Sequence, residues 1–84
     1  MIDFDQTITD PQGLHARPVA LIYDCICKHG SNVTLSIGER SADGRDIMGL
    51  MGLEGECGEI LHVRIEGDDE TACAAALRQV LSEL

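Results

Sequence analysis

The sequence predicts an α+β domain: an open-faced sandwich in which a four-stranded antiparallel sheet is covered on one side by three helices. Its 84 residues are enough for a single domain, residues 1–84. The spacing of apolar residues changes along the chain between a period of two and a period of 3.6, in the order βαββαβα. Because strands outnumber helices in that order, the strands can pair antiparallel and carry the helices on one face.

The first elements follow from this spacing. Residues 2–8 alternate between apolar and polar side chains, which is typical of a strand with one buried face. Residues 10–13 are rich in turn formers and predict a loop. Residues 17–29 carry an apolar stripe at helical spacing, with two basic residues in the last turn. Gly30 is the predicted stop of this helix.

The middle of the chain predicts a hairpin and a short helix. Residues 32–37 alternate again, and the pair at 38–39 predicts a tight connection to a weaker strand at 40–43. Residues 47–53 are apolar but contain two glycines. Since glycine costs about 1 kcal/mol per position in a helix relative to alanine, this helix should be short and held by tertiary contacts.

The last third predicts a strand and a final helix. Residues 55–58 form a loop, and residues 59–66 alternate as a strand. Acidic residues at 68–70 should cap the helix that follows, because carboxylates stabilise helix N-termini. That helix is expected to bury the apolar residues of its inner face: Cys73, Leu77, Val80, Leu81 and Leu84.

Composition excludes several classes of function. The chain has 15 acidic residues against 6 lysines and arginines, a formal net charge of −9, and can hardly build the basic face that nucleic acid requires. No apolar run approaches the ~20 residues of a membrane-spanning helix, and no leader is visible at Met1. We therefore expect a cytoplasmic protein with no nucleic-acid or membrane partner. Its acidic surface favours a monomer.

The cysteines and two of the histidines predict no metal and no cofactor. With no export signal, the four cysteines should stay reduced, and their spacing matches no zinc site. Cys25 and Cys73 fall in helical runs and are expected to be small buried residues. His29 and His62 have no partner pattern for catalysis or metal binding.

The segment from Gly13 to Pro18 is the strongest candidate site. It places His15 and Arg17 where a helix should begin, and Pro18 suits a first helical turn. A helix start offers free N–H groups and partial positive charge, so it suits a phosphate. An imidazole there could carry a phosphoryl group, with Arg17 pairing to its oxygens. Alternatively, the two side chains only decorate a solvated helix start.

Gly-Leu-His-Ala-Arg-Pro resembles the active-site signature of the histidine-containing phosphocarrier protein (HPr) family of the bacterial sugar phosphotransferase system. Residues 47–51, Ile-Met-Gly-Leu-Met, resemble that family's second-helix motif at the family's spacing. The resemblance covers essentially the whole chain and implies the HPr-like sandwich predicted above. It also implies that His15 is phosphorylated on its δ nitrogen.

For the site, the resemblance implies a carrier of phosphoryl groups without turnover of its own. Phosphorylated enzyme I would be the donor and an enzyme IIA-type domain the acceptor. The backbone N–H groups of Ala16 and Arg17 would bind the phosphate. Gln12, in the preceding loop, either reaches the same site or is simply solvated.

The second-helix motif predicts an exposed apolar patch. By spacing, Leu50 and Leu53 share the inward face, so Ile47, Met48 and Met51 cannot all be buried by so short a helix. Exposed apolar patches often mark docking surfaces, and methionines adapt to several partners. The resemblance implies that this patch docks enzyme I and the sugar-specific proteins.

Two acidic residues depart from the family pattern. Asp46 stands where Gram-positive HPr proteins carry a regulatory serine. The resemblance implies that Asp24 lies on the face of the first helix that meets an acidic surface of enzyme I, where family members often have a basic or neutral residue. Asp46 is either a helix N-cap or a permanent negative charge in place of a serine phosphate. Asp24 is either a solvated surface charge or an obstacle to the docking of enzyme I. The alternative function is therefore a regulatory binding module whose partner is a transcriptional regulator or an enzyme.

Overall fold

The computed structural model describes residues 1–83 and confirms the predicted order of elements. They are β1 (Ile2–Thr7), α1 (Ala16–Cys27), β2 (Asn32–Ile37), β3 (Arg40–Asp43), α2 (Ile47–Gly52), β4 (Ile60–Glu66) and α3 (Glu70–Ser82). The strands form one antiparallel sheet in the order β1-β4-β2-β3. The three helices cover one face of it, as predicted. The strand predicted at 2–8, the strand predicted at 59–66 and the helix predicted at 47–53 are each one residue shorter than expected.

The two central strands supply the middle of the core. In β4, Val63 lies opposite Phe4 of β1 on one side and Leu35 of β2 on the other. The inward side chains of β2 and β4 are buried: Val33, Leu35, Ile37, Leu61, Val63 and Ile65. A slip of one residue would turn all of them toward water, so this burial fixes the register.

The helices complete the core with the residues that the apolar stripes predicted. Buried helical side chains include Val19, Ile22 and Ile26 of α1, Leu50 of α2, and Cys73, Leu77 and Leu81 of α3. Val80 is half-buried and packs against this core from its edge. Leu84 lies outside the described residues.

The predicted end of α1 is wrong. The helix ends at Cys27, and the N–H groups of Lys28 and His29 close its last turn. Nδ1 of His29 lies 2.9 Å from the carbonyl oxygen of Cys25, so this imidazole satisfies a carbonyl at the helix end. Gly30 is therefore beyond the helix, and its backbone does not adopt the left-handed conformation of a glycine cap.

Two charged side chains instead hold the loop between α1 and β2. Asp69 is the N-cap residue of α3, but its carboxylate makes no cap bond. It accepts hydrogen bonds from the Ser31 hydroxyl and the Gly30 N–H, which hold the pKa of Asp69 below its usual range. Arg45 donates to the carbonyls of His29 and Ser31, at 2.6 and 3.0 Å. The Asp69 carboxylate was expected to cap α3, but instead it joins α3 to the loop between α1 and β2.

The open face of the sheet carries a charged cluster that the sequence did not predict. Nδ1 and Nε2 of His62 lie 2.6 Å from Asp5 and 3.0 Å from Asp3, and Arg64 donates to Asp3 at 2.8 Å. The bond to Asp5, followed by that to Asp3, raises the pKa of His62. The cluster forms because β1 and β4 place these residues side by side.

Candidate functional site

A fixed turn precedes His15. Gly13 has a φ of +69°, which favours glycine, and its N–H donates to the Asp10 carbonyl at 2.8 Å. The next residue, Leu14, is buried and donates its N–H to the carbonyl of Gly55 at 2.8 Å. The turn before α1 is therefore tied to the loop before β4, and the chain enters α1 in one defined direction.

His15 is the N-cap residue of α1. Its backbone is extended, its carbonyl accepts the Val19 N–H at 3.2 Å, and its imidazole makes no cap bond. The N–H groups of Ala16 and Arg17 precede that first helical bond, so helix geometry gives them no partner inside the helix. Pro18 has no N–H. The helix start therefore presents two backbone donors beside an imidazole that does not act as a cap.

Asp10 is the polar partner of His15. Its Oδ2 lies 3.3 Å from Nε2 of His15, and its Oδ1 accepts the backbone N–H of Gln12 at 2.8 Å. The Gln12 bond, then the His15 bond, holds the pKa of Asp10 below its usual range, and the charge of Arg17 acts in the same direction. Asp10 is thus ionised at neutral pH. The sequence identified it only as a turn former, although it stands five residues before the histidine.

These side chains line one cleft. His15 and Arg17 both line it, together with Asp10, Pro18, Leu21 and Glu83. The Gln12 side chain is exposed in the turn, and its backbone N–H is what holds Asp10. Glu83 could not be assigned to this site from sequence, because it lies at the opposite end of the chain from the other lining residues. An imidazole, a guanidinium and two carboxylates therefore face one volume.

The predicted apolar patch on α2 is exposed. Ile47, Met48 and Met51 are 41%, 77% and 39% exposed, while Leu50 and Leu53 are buried. The helix α2 packs against α1, whose N-cap residue is His15. The apolar patch that the sequence predicts as a docking surface is therefore exposed, on a helix that packs against α1.

The two acidic departures have ordinary structural partners. Oδ1 of Asp46 accepts the Gly49 N–H at 3.0 Å, so Asp46 is the N-cap of α2. Asp24 is exposed and pairs with Lys28 at 3.0 Å, one helical turn away. Such an exposed pair contributes little to stability. Both carboxylates nevertheless remain on the surface and available to a partner.

The four cysteines are free, and Cys25 and Cys73 are buried as predicted. Burial raises the pKa of both of those thiols, so they are protonated at neutral pH. Within residues 1–83, no group of three or more histidine, cysteine or acidic side chains is placed to hold a metal ion. In the same part of the chain, no helix combines the length and apolarity that crossing a bilayer requires.

The fold and the site define a class of protein: small open-faced sandwiches that present one histidine at the start of their first helix. A sequence model of the family described as "PTS HPr component phosphorylation site" matches residues 2–83. The chain is 38% identical over 80 residues to the phosphocarrier protein HPr of Xylella fastidiosa strain Temecula1, covering 95% of this chain and 90% of that protein.

Solved structures agree with the sequence comparisons. The crystal structure of HPr from Thermoanaerobacter tengcongensis superposes with a TM-score of 0.92 at 30% identity, covering 99% of this chain and 93% of that one. The histidine-containing phosphocarrier protein of Mycoplasma gives a TM-score of 0.93 at 28% identity, covering 98% and 93%. The chain belongs to the HPr family of phosphocarriers of the phosphotransferase system.

Proposed function

We propose that the protein accepts a phosphoryl group from phosphorylated enzyme I on His15 and passes it to an enzyme IIA-type domain. The observation that carries this proposal is the placement of the His15 imidazole at the N-terminus of α1, in the same cleft as Arg17. Membership of the HPr family supports it. The protein turns over no substrate of its own and works in the cytoplasm as a monomer.

The chemistry suits a reversible carrier. A ring nitrogen of neutral His15 forms a bond to phosphorus while the bond between phosphorus and the donor nitrogen breaks, and the bonding pair returns to the donor. The resulting phosphoramidate readily gives the phosphoryl group to the next nucleophile. A serine phosphate would be too stable for that second step.

The helix start and Arg17 hold the phosphate. The phosphoryl group brings negative charge to the positive end of the α1 dipole, where the N–H groups of Ala16 and Arg17 can donate to its oxygens. The guanidinium of Arg17 adds two-pronged, charge-assisted donation. Gln12 is a further candidate donor through its side chain, which is exposed in the adjoining turn.

The patch of Ile47, Met48 and Met51 is the proposed docking surface for enzyme I and for the enzyme IIA-type domain. It is apolar and exposed, and it lies on the helix that packs against α1. A carrier must bind its donor and its acceptor in turn, and flexible methionine side chains fit surfaces of different shape.

Incubation with phosphoenolpyruvate and enzyme I tests the proposal. The protein is expected to take up one acid-labile, alkali-stable phosphate, as a histidine phosphate does. Enzyme I proteins from several bacteria should be used, because the net charge of −9 changes docking to an acidic partner. Absence of label with every enzyme I, although a known HPr is labelled beside it, would reject this function.

A second candidate function is a regulatory binding module in which the Asp46 charge replaces a serine phosphate and recruits a transcriptional regulator or an enzyme. The exposed Asp46 carboxylate beside the exposed Ile47 and Met48 favours it. The Asp46 charge should then oppose docking to an acidic enzyme I, so Asp46→Ser is expected to speed phosphorylation of His15. The increase in rate should shrink as salt is added, because the Debye length is about 8 Å at physiological ionic strength.

If Asp46 is only an N-cap, the outcome differs. Serine is also a good cap, so the Asp46→Ser variant should keep the phosphorylation rate and the thermal stability of the parent. Rapid-quench phosphotransfer at low and at high salt distinguishes the two. Glu39→Ser is the matched control, because it removes one exposed carboxylate from the turn between β2 and β3, outside the proposed docking surface. Equal rates for the parent and Asp46→Ser at low salt would remove the argument for a regulatory role.

A further inference from the structure

We propose that Asp10 is a positioning residue for the phosphorylation of His15: its carboxylate keeps the proton of the neutral imidazole on Nε2 and leaves Nδ1 as the nucleophile. This inference deepens the proposed function and rests on it. It assigns a role to a residue that the sequence identified only as part of a turn.

The hydrogen-bonding capacity of the two groups fixes the tautomer. An ionised carboxylate can only accept hydrogen bonds, and Oδ2 of Asp10 faces Nε2 of His15 at 3.3 Å. The Asp10 pKa lies below its usual range, so this carboxylate is ionised at neutral pH. Nε2 must therefore carry the hydrogen that it donates, and a neutral imidazole with a hydrogen on Nε2 has a free electron pair on Nδ1.

The same carboxylate serves the reaction in both directions. When Nδ1 bonds to phosphorus, the bond to the donor nitrogen breaks and the ring gains positive charge while Nε2 keeps its hydrogen. Asp10 then faces a cationic ring, and its hydrogen bond becomes charge-assisted on both sides. On transfer to the acceptor, the pair of the N–P bond returns to Nδ1 and the ring becomes neutral again. No proton has to leave or enter the site.

The hydrogen bond within the turn at residues 10–12 allows the role of Asp10 in fixing the tautomer to be tested by substitution. Oδ1 of Asp10 is held by the Gln12 N–H at 2.8 Å. In an Asp10→Asn variant the amide oxygen must take that position, because the N–H group requires an acceptor. The amide NH₂ then faces Nε2 of His15 as a donor, so Nε2 must accept and the hydrogen moves to Nδ1. An Asp10→Ala variant loses the turn bond but imposes no tautomer.

Nitrogen-15 NMR of the His15 ring reads the tautomer without any phosphotransfer. In the unphosphorylated parent, with the imidazole neutral, the spectrum is expected to show a protonated Nε2 and an unprotonated Nδ1. In Asp10→Asn the population should shift toward protonated Nδ1. Asp43→Asn is the matched control, because Asp43 makes the same turn bond, to the Arg45 N–H at 2.8 Å, and loses the same charge. It should leave the His15 spectrum unchanged.

Rates of phosphorylation complete the test. With phosphoramidate, a small donor that needs no partner protein, Asp10→Asn is expected to slow labelling about tenfold, the size expected for a lost hydrogen bond to a charged group. Asp10→Ala should be intermediate, and Asp43→Asn should match the parent. A merely structural role for Asp10 predicts the opposite order, since asparagine keeps the turn and alanine does not.

The outcomes separate this inference from the proposed function. Asp10→Asn rates at or above those of Asp10→Ala, or an unchanged His15 tautomer in Asp10→Asn, would overturn the role of Asp10. If enzyme I fails to label the parent while phosphoramidate and NMR give the expected order, the role of Asp10 stands and the proposed donor is wrong.

Discussion

Replacing His15 with alanine is expected to abolish the incorporation of acid-labile phosphate from phosphoenolpyruvate and enzyme I. The imidazole is the nucleophile of the proposed site, and alanine offers none. The substitution should leave the fold intact, because the side chain is partly exposed and makes no cap bond. Label counted after acid and after alkaline treatment measures the effect, and circular dichroism confirms that the variant is folded.

The other two histidines are the controls. Nδ1 of His29 lies against the Cys25 carbonyl at the end of α1, and His62 lies between two aspartates on the open face of the sheet. The variants His29→Ala and His62→Ala are expected to be labelled like the parent. Acid-labile label that survives in the folded His15→Ala variant would reject the assignment of the site.

Gly13→Ala is expected to give the largest loss of stability of any change near the site. A Cβ on Gly13 would lie 2.1 Å from the carbonyl oxygen of Gly55, and that oxygen is backbone, so the two loops must separate. The φ of +69° adds strain for any residue with a side chain. We expect a loss of about 3 kcal/mol, which is a large share of the roughly 4–13 kcal/mol expected for a domain of this size.

Thermal unfolding followed by circular dichroism measures this loss. For a domain of this length, about 3 kcal/mol corresponds to a fall in Tm of roughly 12–24 °C. Gly52→Ala is the control, because a Cβ added there would meet no neighbouring atom within 4 Å and its φ is not left-handed. It should be neutral or gain about 0.5 kcal/mol in the helix α2. Equal Tm values for Gly13→Ala and the parent would show that the contact between the two loops is not tight.

The apolar periodicity of each strand and helix was enough to predict the fold. The alternation in β2 and β4 and the stripe of α1 identified the core residues correctly, since one buried face imposes one periodicity on each element. The two-residue connection at 38–39 was also correct, with Gly38 in the left-handed region at a φ of +59°. The resemblance to the HPr family then placed His15 and Arg17, which the structure brings into one cleft.

The features that sequence could not predict all depend on contacts between distant residues. Asp69 was expected to cap its own helix, but the loop after α1 offers it a hydroxyl and an N–H, 38 and 39 residues away. The same loop, held by Arg45, ends α1 before Gly30. His62 looked like an isolated surface residue because its aspartate partners are 57 and 59 residues away, on β1.

The partner of His15 was missed for a different reason. Asp10 is close in sequence, but a residue in a turn gives no sign of which way its carboxylate points. Its direction is set by the Gln12 N–H, which leaves the second oxygen for the imidazole. Residue type and spacing therefore located the site, whereas the atoms that set its chemistry required the structure.

Discharge of the phosphorylated protein tests the carrier function most directly. The protein is labelled with phosphoenolpyruvate and enzyme I, separated from both, and mixed with enzyme IIA-type domains. A carrier is expected to lose its label from His15 after mixing. An equal amount of label should appear on a histidine of one IIA domain, with little free phosphate released. Label that remains on His15 with every IIA domain, or that leaves only as free phosphate, would show that the protein does not pass the phosphoryl group on.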